Sequence, residues 1–162
     1  MKKLLIVLLV FTFVKAEAQS DSTKFFQQIN AGAILGSTAS TTFKGGKQPF
    51  DVGQSLFANV CVIAPKTYHS LLYGFSNNSL TTLHGYLLKN NWDTYGVYSK
   101  NLSSSGQYLA AGIEKMIPIK TDGGSAGVFL FSEFGTDLRG TKILSFGVLL
   151  SFQNTIWKRR KS

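Results

Sequence analysis

The chain is short of nearly everything from which a soluble enzyme builds a site. One cysteine in 162 residues excludes an intramolecular disulfide framework and a multi-cysteine zinc site. Two histidines leave little material for a histidine metal cluster. Charged residues make up only 15%, against about 25% in an ordinary soluble domain. Nowhere do 18 apolar residues run together, so no stretch reads as a membrane-spanning helix. The length allows one domain and excludes a large multidomain enzyme.

What is present begins with an address. Met1-Lys2-Lys3 precedes an apolar run from Leu4 to Val14, and Ala16-Glu17-Ala18 supplies small residues spaced as A-x-A. A basic start, a short apolar core and that spacing are the parts of a secretory signal peptide, expected to be cut near Ala18. The competing reading is an N-terminal amphipathic or buried helix. No cysteine lies near the cut to carry a lipid anchor. The predicted organisation is a signal peptide over 1–18, one β domain over 19–153 and a basic tail over 154–162. The chain has 17 Lys and Arg against 8 Asp and Glu. For an exported protein such a surplus fits anionic lipid headgroups or acidic glycans, and nucleic acid is not an expected partner.

Past Gln19 the period is two. Leu144, Phe146, Val148, Leu150 and Phe152 share one parity, and Ser145, Gly147 and Ser151 share the other. Similar alternation runs around Gln28, from Leu80 to Leu88 and from Tyr108 to Ile119. Successive side chains of a strand point to opposite faces, so these are strands. Pro65-Lys66, Asn77-Asn78, Lys89-Asn90-Asn91, the 101–106 stretch and the 121–124 stretch carry turn chemistry between them. About eight strands are predicted, near 25–37, 55–64, 67–76, 79–88, 92–100, 107–119, 125–135 and 142–153. The Ser-, Thr-, Gly- and Lys-rich span from Thr38 to Gly53 reads as a long surface loop. Lys44 and Lys47 beside Gly45-Gly46 lack the spacing of a phosphate-binding loop.

Alternation alone suits either a soluble β-sandwich or a membrane barrel, and charge placement separates them. A sandwich turns charged side chains to water along most strands, whereas a membrane barrel shows lipid an apolar face and fills its interior with small polar residues. Ser55 to Leu88 holds one charge, Lys66 in a turn, and Ile143 to Trp157 holds none. The expected fold is therefore an all-β, antiparallel up-and-down transmembrane barrel of about eight strands. A secreted or periplasmic β-sandwich that binds a ligand is the competing reading.

The last strand, Gly147-Val148-Leu149-Leu150-Ser151-Phe152, alternates and ends in an aromatic. In this the chain resembles the small eight-stranded outer-membrane β-barrel proteins of Gram-negative bacteria, and Gln153–Ser162 continues beyond that aromatic. The resemblance implies insertion in the outer membrane and a structural or interaction role: envelope integrity, adhesion, or membership of a larger envelope complex.

His69, Ser70, His84, Glu114 and Glu133 are the residues from which a lipid-modifying hydrolytic site could be assembled. His69 falls in parity with Leu71 and Tyr73 on an apolar face, and His84 shares with Thr82 and Tyr86 a face that could point inward. Glu114 and Glu133 are expected inward on neighbouring strands, with Tyr86, His84 or Arg139 as candidate partners and Lys115 on the opposite face. An interior polar network is the expected role, with no catalytic, cofactor-binding or metal residue assigned. Cys61 reads as a packed thiol. Trp157-Lys158-Arg159-Arg160-Lys161 is a basic cluster suited to anionic lipid, to an envelope protein or simply to solvent. The expected partners are outer-membrane lipid and possible envelope proteins met through the 38–53 loop or this tail.

Overall fold

The computed structural model describes residues 27–43, 50–120, 125–137 and 139–158. The proposed signal peptide and Arg159–Ser162 lie outside those residues. Eight strands form the fold: β1 Gln28–Phe43, β2 Phe50–Ile63, β3 Thr67–Gly74, β4 Ser79–Leu87, β5 Trp92–Asn101, β6 Gln107–Ile119, β7 Ser125–Asp137 and β8 Lys142–Lys158. Each pairs antiparallel with its neighbours in the sequence, and β8 pairs with β1, so the sheet closes into a barrel. It is not a two-sheet sandwich.

The register sets the shape. From Asn30 on β1 the partners run through Cys61, Ser70, Leu83, Val97, Ala110, Gly135 and Ile143, then return to β1 at Thr42. The circuit closes twelve residues from its start, and every residue on it points into the lumen. With about 3.3 Å per residue and about 4.8 Å between strands, that stagger tilts the strands by about 45°. A 25 Å apolar band then takes about 11 residues of strand. We call the end where β1 starts and β8 finishes the base, and the opposite end the rim.

Turns use asparagine where the chain must reverse tightly. Among the described residues, the non-glycine ones with left-handed backbone are Asn78 (φ 47°), Asn90 (φ 58°) and Asn91 (φ 59°). Asparagine tolerates that region because its short side chain can bond locally. Two of them lie in the 3-10 turn Lys89–Asn91, between β4 and β5.

The expected long loop from Thr38 to Gly53 is a correction. β1 runs on to Phe43 and β2 begins at Phe50, with Thr41 opposite Phe50 and Phe43 opposite Lys142. Ser37–Thr42 has the composition of a loop, yet it is flanked on both sides by strands that satisfy its backbone groups. That pairing outweighs weak local propensity. β8 likewise continues past Phe152 to Lys158, with its register shifting opposite Ile29 and Asn30.

The two faces have opposite chemistry. Among the described residues 25 large hydrophobic side chains are exposed, while six hydrophobic residues are buried. Phe146, Val148 and Phe152 on β8, Leu109, Ile113 and Ile117 on β6, and Leu130 and Phe134 on β7 are among those facing out. The buried set includes Asn30, Asn59, Ser79, Asp93, Glu114, Ser145 and Ser151, all directed into the lumen. A soluble domain has the reverse arrangement.

Candidate functional site

Inside the barrel, tyrosines meet carboxyl groups. Tyr68 on β3 donates to Glu114 on β6 at 2.6 Å. β3 and β6 are three strands apart in an eight-stranded ring, so this hydrogen bond is close to a diameter of the lumen. Tyr95 on β5 and Tyr108 on β6 both donate to Glu133 on β7, at 3.3 and 3.1 Å. Asp93 is the register partner of Glu114, and both are buried side by side in the lumen. Beside these groups Tyr95, Val97 and Ala110 form a buried cluster, with Leu83, Tyr108 and Phe131 packed on it.

Glycine lets the rings lie flat enough to reach. Gly85 is the register partner of Tyr68, and a Cβ there would sit 2.1 Å from a ring carbon of that tyrosine. Gly112 stands in the same relation to Tyr95, where a Cβ would come 2.6 Å from the ring and 2.8 Å from the Ser132 carbonyl oxygen. Each aromatic covers the backbone of its neighbour strand and carries its hydroxyl inward to an acid.

A second network lies nearer the base. Gln28 Nε2 donates to Asn30 Oδ1 (2.6 Å) and Thr155 Oγ1 (3.0 Å), Asn30 Nδ2 to Gln153 Oε1 (3.1 Å), and Gln153 Nε2 to Ser151 Oγ (2.9 Å). This stitches β1 to β8 from within. Asn59 Oδ1 is buried without a hydrogen-bond partner.

Glu114 and Glu133 point inward on neighbouring strands, as the parity implied, and Lys115 points out. Their partners differ from those expected. Tyr86 and His84 face outward, and Arg139 lies beyond β7 with its guanidinium 3.4 Å from Ser105 Oγ. Sequence reading missed Tyr68, Tyr95 and Tyr108, although Tyr95 shares its strand face with Asp93 and Tyr108 shares its own with Glu114. Their pairing depends on register, which no local pattern encodes.

His84 is a further correction. It pairs with His69 on the outer wall, Nδ1 to Nδ1 at 2.6 Å, with ring centroids 4.9 Å apart in an edge-on arrangement. Both faces of β4 mix polar and apolar residues, so alternation separated the faces without saying which is inner. Ser70 and Glu114 point into the lumen and the two histidines point out, so these residues do not assemble a nucleophile, base and orienting acid. Cys61 is a free, buried thiol facing the lumen opposite Asn30 and Ser70.

The outside of the base carries its own chemistry. Trp92 and Trp157 are exposed, and Lys115 Nζ lies 5.3 Å from the centroid of the Trp92 ring while donating to the Asn90 carbonyl. Lys66 and Lys89 are exposed in adjacent turns, joined by a hydrogen bond from Leu87 N to Lys66 O.

No family model and no curated protein matches the chain. Among solved structures it is similar to Ail, the attachment invasion locus protein of Yersinia pestis, with 11% identity and a TM-score of 0.40 over 78% of this chain and 99% of that one. The fold assignment, a closed eight-stranded antiparallel barrel, follows from the strand register of this chain.

Proposed function

We propose that this chain is an outer-membrane barrel with a structural or interaction role, working through its two ends and its outer wall rather than by catalysis or transport. The exposed apolar exterior supports the membrane reading. Among the described residues, 25 exposed large hydrophobic side chains around a lumen of hydrogen-bonded polar groups would be costly in water and are at home in lipid. The chord from Tyr68 to Glu114 opposes a conduit. At the rim, Phe50 and Val52 are exposed near the tip of the β1–β2 hairpin, where an envelope partner could be met. The basic tail is the other candidate contact.

The test is expression of the full precursor, fractionation, and electrophoresis in SDS with and without boiling. A membrane-bound band whose mobility shifts on heating is the expected result, because a closed barrel resists SDS until heated. A band in the soluble exported fraction, with no shift, would refute the membrane assignment.

A further inference from the structure

Charge is segregated between the two ends of the barrel. At the rim the signs are mixed: Asp51, Lys100, Asp137, Arg139 and Lys142. At the base every described charge that reaches the surface is a lysine: Lys66, Lys89 and Lys120 are exposed at strand ends and turns, Lys158 is exposed at the end of β8, and Lys115 lies on the outer wall. The two base carboxyls among the described residues, Asp93 and Glu114, are turned inward and buried, so they neutralise none of these from outside. Asp122 belongs to the β6–β7 turn, outside the described residues.

Three of the lysines share one sector. Lys66 and Lys89 lie in turns joined through the Leu87–Lys66 hydrogen bond, and Lys115 is held between the Asn90 carbonyl and the face of Trp92. Tyr86, paired with Thr67 and Thr94, is exposed on the same wall. Apolar wall, then tyrosine and tryptophan, then a cluster of cations is the sequence of chemistries met on leaving a bilayer through its headgroups.

We propose that the Lys66–Lys89–Lys115 sector is a binding site for the headgroup of an anionic phospholipid, seated against Trp92. This rests on the membrane reading above and adds the class of lipid and the place. The phosphate would lie among the three ammonium groups, with an acyl chain running down the outer wall past Tyr86. Lys115 is already placed by Trp92 and Asn90, so little side-chain freedom is lost on binding.

Both tryptophans of the chain, Trp92 and Trp157, are at the base, so intrinsic fluorescence reports on this end alone. A Trp157→Phe full-length chain makes Trp92 the only reporter. It would be folded without an affinity tag into phosphatidylcholine vesicles containing either brominated phosphatidylcholine or brominated phosphatidylglycerol, whose bromines quench indole on contact. At low salt the anionic lipid should be favoured around Trp92 by at least about fivefold, the value for one lysine near a membrane surface. Changing Lys66, Lys89 and Lys115 together to Gln should bring the ratio to about one. Changing Lys100 and Lys142 to Gln should leave it intact, and heat-shifted gel mobility would show that each variant is folded.

Equal quenching by the two lipids in the starting chain, or a preference that survives the triple substitution, would overturn the site. A preference lost with Lys100 and Lys142 would place it at the rim and overturn it too. Quenching by neither lipid would place Trp92 outside any bilayer, and then the membrane reading itself fails.

Discussion

Glu133 accepts from two tyrosines, and that arrangement makes a quantitative prediction. Tyr95→Phe and Tyr108→Phe each remove one hydroxyl and leave the ring, which lies on Gly112 for Tyr95 and against Gly135 for Tyr108. A hydrogen bond to a charged group contributes about 1.5–3 kcal/mol and one between neutral groups about 0.5–1.5. At 3.3 and 3.1 Å both lie beyond the usual O–H···O spacing of about 2.7–2.8 Å, so each single substitution should cost about 1 kcal/mol. The double substitution should cost more than their sum. Either tyrosine can still serve the carboxyl when the other is gone, but removing both leaves a largely enclosed acid with neither donor. That adds a desolvation cost of about 1–3 kcal/mol, giving a total near 3–5 kcal/mol. Urea titration of the barrel in phosphatidylcholine vesicles, followed by tryptophan fluorescence, measures it. Adding Glu133→Leu to the double variant should recover part of the loss, because an unmatched acceptor is worse than an apolar group of similar size. Two single variants within about 0.3 kcal/mol of the starting protein, or a double variant equal to their sum, would refute the reasoning.

Gly112→Ala should destabilise the barrel by about 2–3 kcal/mol in the same titration, because the added carbon meets both the Tyr95 ring and the Ser132 carbonyl; an unchanged midpoint would show that the ring does not lie on the glycine. Val148→Arg on the outer wall should cost about 2–4 kcal/mol in vesicles if Val148 is near the bilayer midplane, and an unchanged vesicle stability would argue that this wall does not face lipid. His84→Leu deprives His69 of its outer-wall partner and should cost about 1 kcal/mol, while the double change with His69→Leu should regain most of it. A double variant less stable than the single would show that the pair contributes beyond satisfying itself.

Alternation and charge placement were enough to count the strands and to expect an apolar exterior around a polar interior, because side-chain period and the cost of burying charge act within a few residues. Glu114 and Glu133 were legible as inward acids for the same reason. What joined them was not. Tyr68 and Glu114 are separated by 46 residues and meet only because the strands are staggered by twelve residues around the ring. β4 shows the limit most plainly. Thr81, Leu83 and Gly85 on one face look much like Thr82, His84 and Tyr86 on the other, and the choice is made by their partners on β3 and β5. Ser37–Thr42 misled for a related reason, since its Ser and Ala residues dilute the strand preference of its Thr residues, and β8 and β2 supply the pairing.

The stagger also bears on whether anything passes through. A steep tilt widens an eight-stranded barrel, so its own side chains must span a larger lumen. Here they do so in two ways: a polar chord from Tyr68 to Glu114, and an apolar layer of Tyr95, Val97 and Ala110 backed by Leu83, Tyr108 and Phe131. Removing only the chord should therefore leave the barrel closed. In a planar bilayer the unaltered chain and Tyr68→Ala should both show no unitary current steps. Tyr68→Ala combined with Tyr95→Ala removes the chord and the largest member of the apolar layer, and should admit ions. Unitary steps in the unaltered protein would mean that these groups move aside, and the function would then have to be sought within the lumen instead of at its ends.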